Sequence, residues 1–244
     1  MAGYKKICVT LIVIIILMVD CFCLMADLSR LMGFYDYYYM YPIALIKRII
    51  VLLAATLVFI TGKDSYNPKD NKRMKIIFLI LCCGEIAFLV ERPIDAIILF
   101  SLCQFLLILR NGNGFKCKLI DADAKIRNKL KFLALIIGII LALCIIILYL
   151  LLKNNILFFI TCFYAALLSI SLWVGIVSNL LRLFPKTNAK LIAWGMICFY
   201  CSDIMVGMGT VTHGTFLGLV ISSLIWVIYT PAIVFLALSG YLYQ

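Results

Sequence analysis

The stretch Leu130–Leu152 reads LKFLALIIGIILALCIIILYLLL, and its reading decides the fold class. Its one charge, Lys131, sits next to its start. Coiled as a helix at about 1.5 Å per residue, such a run covers a hydrocarbon core about 30 Å thick. In lipid, backbone N–H and C=O groups must be satisfied within the segment, which a helix does. Comparable runs flank it at 7–27, 43–62, 74–90, 93–110, 156–178, 189–209 and 217–242. Hydrophobic residues make up 66% of the 244, and the mean hydropathy is +1.16. A soluble domain runs at roughly 45–50% apolar. The expectation is an all-α fold, a polytopic membrane helical bundle of about eight transmembrane helices. It fills 1–244 as a single transmembrane domain. The first run is too long for the apolar core of a signal peptide, and no Ala-x-Ala site follows it, so it reads as a retained helix. Glu91-Arg92-Pro93 predicts a tight hairpin, because proline suits the first turn of a helix.

The net charge is +11, and its distribution orients the bundle. With eight spans, one side holds Lys5, Lys6, the bases of Lys63–Lys75 and of Arg110–Lys131, and Arg182, Lys186 and Lys190. The other side holds Arg30, Lys47, Arg48, Arg92 and Lys153, five of the 22 Lys and Arg. Basic loops stay in the cytoplasm, so both ends of the chain are expected inside. The charge thus reads as membrane orientation, with no nucleic-acid partner. Tyr35, Tyr37, Tyr38, Tyr39 and Tyr41 read as an interfacial aromatic belt. The eleven cysteines are scattered through apolar runs without metal spacing, as small buried fillers. With one histidine, His213, in an outer loop, no metal site is expected. No G-x-S-x-G, P-loop or H-E-x-x-H motif is present.

Ionisable groups at membrane depth face a partner or a cavity. Asp20, Lys47, Glu85 and Asp203 each fall in the outer half of a span, which points to one shared polar pocket opening outward. The two deepest acids have related settings, Cys83-Gly84-Glu85-Ile86 and Cys201-Ser202-Asp203-Ile204. A small residue before each acid allows close approach of a neighbouring helix or ligand. Two carboxylates in one such pocket can divide the roles of proton donor and acceptor. The plainer reading pairs Glu85 or Asp203 with Lys47 or Arg48 to hold helices together. Gln104 is a buried amide that needs partners, and Pro231, after Tyr229-Thr230, is expected to kink the last span.

These residues resemble the pattern of the lysoplasmalogenase (YhhN-like) membrane proteins, an eight-helix family. That pattern has a lysine early in span two, Gly-Asp in span three, a span-four motif ending in histidine, Ser-Asp in span seven, and a tyrosine-rich last span with a glutamine. The matching positions are Lys47, Gly84-Glu85, the segment Leu99–Ile108 containing Gln104, Ser202-Asp203, and Ile228-Tyr229-Thr230-Pro231-Ala232. Glutamate replaces the first aspartate, Gln104 stands where histidine is usual, arginine follows Lys47 in place of proline, and isoleucine replaces the last-span glutamine.

The resemblance implies hydrolysis of the vinyl ether bond of a lysoplasmalogen, giving a fatty aldehyde and a glycerophospho-base. Glu85 and Asp203 would be the catalytic pair. Lys47, Gln104, Tyr229 and Asp20 would bind the lysophospholipid substrate, Lys47 through the phosphate. No cofactor is implied. Two other readings stay open: a non-catalytic lipid-binding relative, and a small proton- or cation-coupled transporter using Asp20, Glu85 and Asp203. The Ile/Lys/Asn-rich composition leans toward a bacterial plasma membrane. The sequence leaves the oligomeric state open.

Overall fold

The computed structural model describes residues 2–33, 40–152, 155–212 and 214–243. Tyr35, Tyr37, Tyr38, Tyr39, Lys153 and His213 lie outside the described residues, as does the side chain of Tyr41. The described residues form α1 (Ala2–Leu31), α2 (Met40–Ile60), a 3₁₀ turn (Thr61–Asp64), α3 (Pro68–Leu89), α4 (Pro93–Asn111), α5 (Phe115–Ile120), α6 (Ala124–Leu152), α7 (Ile156–Leu180), α8 (Lys186–Val211) and α9 (Phe216–Leu238). Eight of these helices are long, and seven are apolar enough to cross a membrane. The remaining long helix, α3, carries Lys69, Asp70, Lys72, Arg73 and Lys75 in its first turns and Glu85 near its end. The architecture is a helical membrane bundle.

Seven long helices close a ring in the order α1, α2, α3, α4, α7, α8, α9 and back to α1, with α2 also touching α9. The long helix outside the ring is α6, which packs on α7. The core lies within the ring, around Ile50, Phe78, Leu107, Met196, Phe199 and Ile233. Small residues bring ring neighbours together. A Cβ at Gly84 would lie 3.0 Å from the Phe100 ring, which fixes how closely α3 and α4 approach. Gly175 meets Met196 in the same way between α7 and α8.

Local chemistry sets the turns. Asn67 caps α3 by accepting from the Lys69 N–H (2.9 Å), with Pro68 opening the helix. The α3–α4 hairpin closes as expected: Glu91 adopts φ 57°, and Arg92 N–H bonds to the Ala87 carbonyl at 2.9 Å. Gly114 (φ 81°) starts the short α5, an element the apolar runs do not announce.

Several boundaries differ from the sequence expectation, among them the start of α3, at Pro68 where 74 was expected. The last span was expected to reach 242, but α9 ends at Leu238 and the chain turns through Ser239-Gly240. Leu242 N–H then bonds to the Asp64 carbonyl (2.9 Å), and Ser65 bridges to Tyr241. Conversely, α1 and α6 extend past their apolar runs, because Lys and Arg stems are compatible with helix beyond the lipid. The cysteines are all free, but they are not uniformly buried fillers. Cys23 and Cys103 are buried, whereas Cys21, Cys83, Cys117 and Cys201 are exposed.

Candidate active site in the outer half of the bundle

Glu85 sits one turn before the end of α3, directly after Gly84, and is only 7% exposed. Arg48 of α2 faces it, with Nε 3.6 Å from Oε2. Arg48 also donates to the carbonyl of Ala44 at 3.0 Å, one turn earlier on its own helix, and its Nε makes no hydrogen bond. The pair is therefore a charge contact rather than a directed fork. Trp226 of α9 supports the guanidinium from below, 5.6 Å from ring centroid to Cζ. Tyr229, one turn along α9, stands edge-on to both Trp226 (5.4 Å) and Phe199 (5.5 Å). Its buried hydroxyl lies close to the Glu85 carboxylate without reaching hydrogen-bond geometry, and it also feels the charge of Asp203.

Asp203 comes from α8. The Ser202 hydroxyl before it is taken by the carbonyl of Phe199 (2.7 Å), so it is not a free nucleophile. Asp203 accepts a short hydrogen bond from the phenol of Tyr164 on α7. Gln104 of α4, 0% exposed, stands beside Tyr164, the partner of Asp203. Among the described residues, neither its Oε1 nor its Nε2 meets full hydrogen-bond geometry, although the Tyr164 phenol stands beside it. Leaving a buried polar group unpaired costs about 1–3 kcal/mol, so this amide is available to a polar ligand group.

Lys47 does not reach Glu85. It donates to Asp27 of α1 at 2.6 Å, and both side chains are almost buried. Its ammonium also lies 6.0 Å from the Trp226 ring. Asp20, two turns back along α1, accepts from Thr230 of α9 at 2.9 Å. The bundle thus gathers Glu85, Asp203, Gln104 and Tyr229 around one centre. Asp20 and Lys47 form its flank on α1 and α2. Four carboxylates face two cations there, which gives the cluster an affinity for a proton or another positive group.

Sequence reasoning missed Asp27, Tyr164 and Trp226. Asp27 had a signal, since it follows Asp20 by two helical turns and shares its face. Trp226 precedes Tyr229 by one turn on α9. Tyr164 had none, because a tyrosine in an apolar run is unremarkable until the fold sets it against Asp203.

A second polar cluster closes the opposite end, where Lys5 near the start of the chain and Leu242 near its end both meet Asp64. Arg110 grips Asp70 with two bonds, Nε to Oδ1 at 2.7 Å and Nη2 to Oδ2 at 2.8 Å. Its Nη1 donates to the Ser239 hydroxyl at 2.9 Å, and its plane lies 5.4 Å from the Phe184 ring. Asn188 donates to the carbonyls of Ser239 and Tyr241, both at 2.7 Å. Burial beside Asp70 pushes the phenol of the neighbouring Tyr66 well above its ordinary range. Arg110 reads in the sequence as one more orienting charge. In the fold it is buried, and it joins α3, α4, the turn between α7 and α8 and the segment after α9.

Fold and site together define a multi-pass integral membrane protein with charged residues in its interior. No family model, curated protein or solved structure matches the chain.

Proposed function

We propose that this protein is a lysoplasmalogenase-like membrane hydrolase, working in a bacterial plasma membrane. It would cleave the vinyl ether of a lysophospholipid to a fatty aldehyde and a glycerophospho-base. The observation that carries this reading is the pair of interior carboxylates on separate helices, Glu85 facing Arg48 and Asp203 bonded to the Tyr164 phenol, with the buried amide of Gln104 beside Tyr164.

The asymmetry of the pair suggests the roles. Arg48 compensates the charge of Glu85, whereas Asp203 is bonded to a phenol. Asp203 would deliver its proton to the alkenyl carbon farther from the ether oxygen, leaving an oxocarbenium ion. The Glu85 carboxylate stabilises that cation and takes a proton from the water that adds to it. The resulting hemiacetal breaks its carbon–oxygen bond to the glycerol, releasing aldehyde and alcohol. The proton gained by Glu85 returns to Asp203 through Tyr229, so one water is consumed and the site is restored. The Gln104 amide can accept from and donate to the water or the ether oxygen. Lys47 would meet the phosphate at the outer interface as a point charge.

The test is aldehyde release from lysoplasmenylethanolamine by the purified protein, with Glu85→Gln and Asp203→Asn alongside. Release by the parent that falls at least about 100-fold in each variant is expected. Full activity in either variant would remove that residue from the chemistry. A second reading rests on the excess of acids over cations, which also suits a cation-coupled transporter. Proton-coupled flux in vesicles, abolished by Glu85→Gln without any aldehyde release, would favour it.

A further inference from the structure

The corner formed by α5 and the start of α6 carries six basic residues against two acids, Asp121 and Asp123. Among the described residues, Lys116, Lys118, Lys125, Arg127, Lys129 and Lys131 form no ion pair. At the same end of the bundle Lys5 is bound to Asp64 and Arg110 to Asp70. The corner is nevertheless firmly seated. Phe115 stacks edge-on against Trp173 at 5.6 Å, and Leu119 packs with Leu130, Val177 and Leu181. Trp173 Nε1 donates to the Leu130 carbonyl at 3.2 Å, tying α7 to α6. Seated this way, α5 turns Lys116 and Lys118 outward, and Ile120 is 79% exposed.

On α6 the charges continue into an apolar track. Lys125, Lys129, Phe132, Ile136 and Leu143 share one helical face, and all five are exposed. This helix stands outside the ring and packs on α7, so the track runs down into the lipid from a cluster of cations at its border. A phosphate at the border with acyl chains below has this same order of charge and apolar surface.

We propose that the α5–α6 corner is a binding site for an anionic phospholipid of the cytoplasmic leaflet. Its phosphate is held by Lys116, Lys118, Lys125 and Lys129, and one acyl chain lies along Phe132, Ile136 and Leu143. This site is at the opposite membrane face from Glu85 and Asp203 and does not depend on what they do. Charge complementarity selects the occupant: basic residues at the membrane border attract anionic headgroups, each lysine being worth about fivefold in affinity.

Trp173 is the reporter. The full chain carrying Trp194→Phe and Trp226→Phe is placed in phosphatidylcholine nanodiscs containing a minor share of brominated phosphatidylglycerol, or the same share of brominated phosphatidylcholine. Stronger quenching by the anionic lipid is expected. It should drop to the phosphatidylcholine level in K116Q/K118Q/K125Q/K129Q and persist in the matching Lys→Arg variant, which also controls for folding. Equal quenching by the two lipids in the parent would overturn the proposal, as would an anionic preference that survives the glutamine variant. Phe132→Cys chains that cross-link to each other in the membrane, with no anionic preference, would give the face to a second copy and overturn it as well.

Discussion

Replacing Arg110 by alanine isolates what holds one end of the bundle closed. The guanidinium makes two charge-assisted bonds to Asp70 and a third to Ser239, and it stacks on Phe184. The alanine leaves Asp70 buried as a charge without its cation. Breaking a buried pair from one side costs about 3–5 kcal/mol, most of it from the stranded partner. For a chain of this size, that corresponds to a melting temperature about 6–20 °C lower. Removing both charges is different in kind, because an apolar pair of similar volume is often as stable as the ions it replaces. Asp70→Leu combined with Arg110→Met should therefore recover most of the loss. The assay is thermal unfolding in detergent followed by circular dichroism, on the parent, the single variants and the double variant. A single alanine variant melting within about 2 °C of the parent would refute the reasoning. So would a double variant as unstable as the single, since the fork to Ser239 and the carbonyls behind it would then matter more than the ion pair.

Gln104→Leu should raise thermal stability by about 1–3 kcal/mol, since it removes a buried amide without full hydrogen-bond geometry, while slowing aldehyde release. A loss of stability would show that the amide is satisfied within the protein. Tyr164→Phe removes the hydrogen bond to Asp203 and should lower kcat/KM by about 10–100-fold, with a displaced pH–rate profile. An unchanged profile with a lower melting temperature would make Tyr164 a packing residue. Asp27→Asn frees the Lys47 ammonium, so KM for an anionic lysophospholipid should fall several-fold. A constant KM would take Lys47 out of headgroup binding.

Periodicity and length made the helices legible, because lipid permits few alternatives to a long apolar helix. The depth of Glu85, Asp203, Lys47 and Asp20 could also be read, since a charge in an apolar run is conspicuous whatever surrounds it. Partners could not. Lys47 and Arg48 are neighbours in sequence, yet a helical step of about 100° sends one toward α1 and the other toward α3. Which of two adjacent cations meets Glu85 therefore depends on how α2 is rotated, and that is fixed by packing across the ring. The same holds for Tyr164, whose role depends on α7 lying against α8. The segment after Leu238 was misread for a related reason: Tyr241-Leu-Tyr is apolar enough to extend a span. It leaves the helix because Asn188 and Asp64, distant in sequence, accommodate its backbone.

The polarity of α3 follows from its position. It is the long helix that falls short of the apolarity of a membrane span, yet it is a member of the ring between α2 and α4, while the far more apolar α6 stands outside. A helix surrounded by lipid must be apolar on every side, whereas one that turns a face to the core can carry polar groups on that face and keep apolar residues such as Ile76, Leu79 and Ile86 outward. The polar groups of α3 are placed accordingly. Asp70 is satisfied by Arg110 at the inner end, and Glu85 is met by Arg48 at the outer end. Between them, Met74, Ile77, Phe78 and Leu81 are buried in the core. The helix that hydropathy ranks lowest is thus the one that links the Arg110 latch to the proposed catalytic pair. Charge balance across the loops recovers it as a long helix where apolarity alone would discard it, because removing α3 would reverse the sidedness of each basic loop that follows.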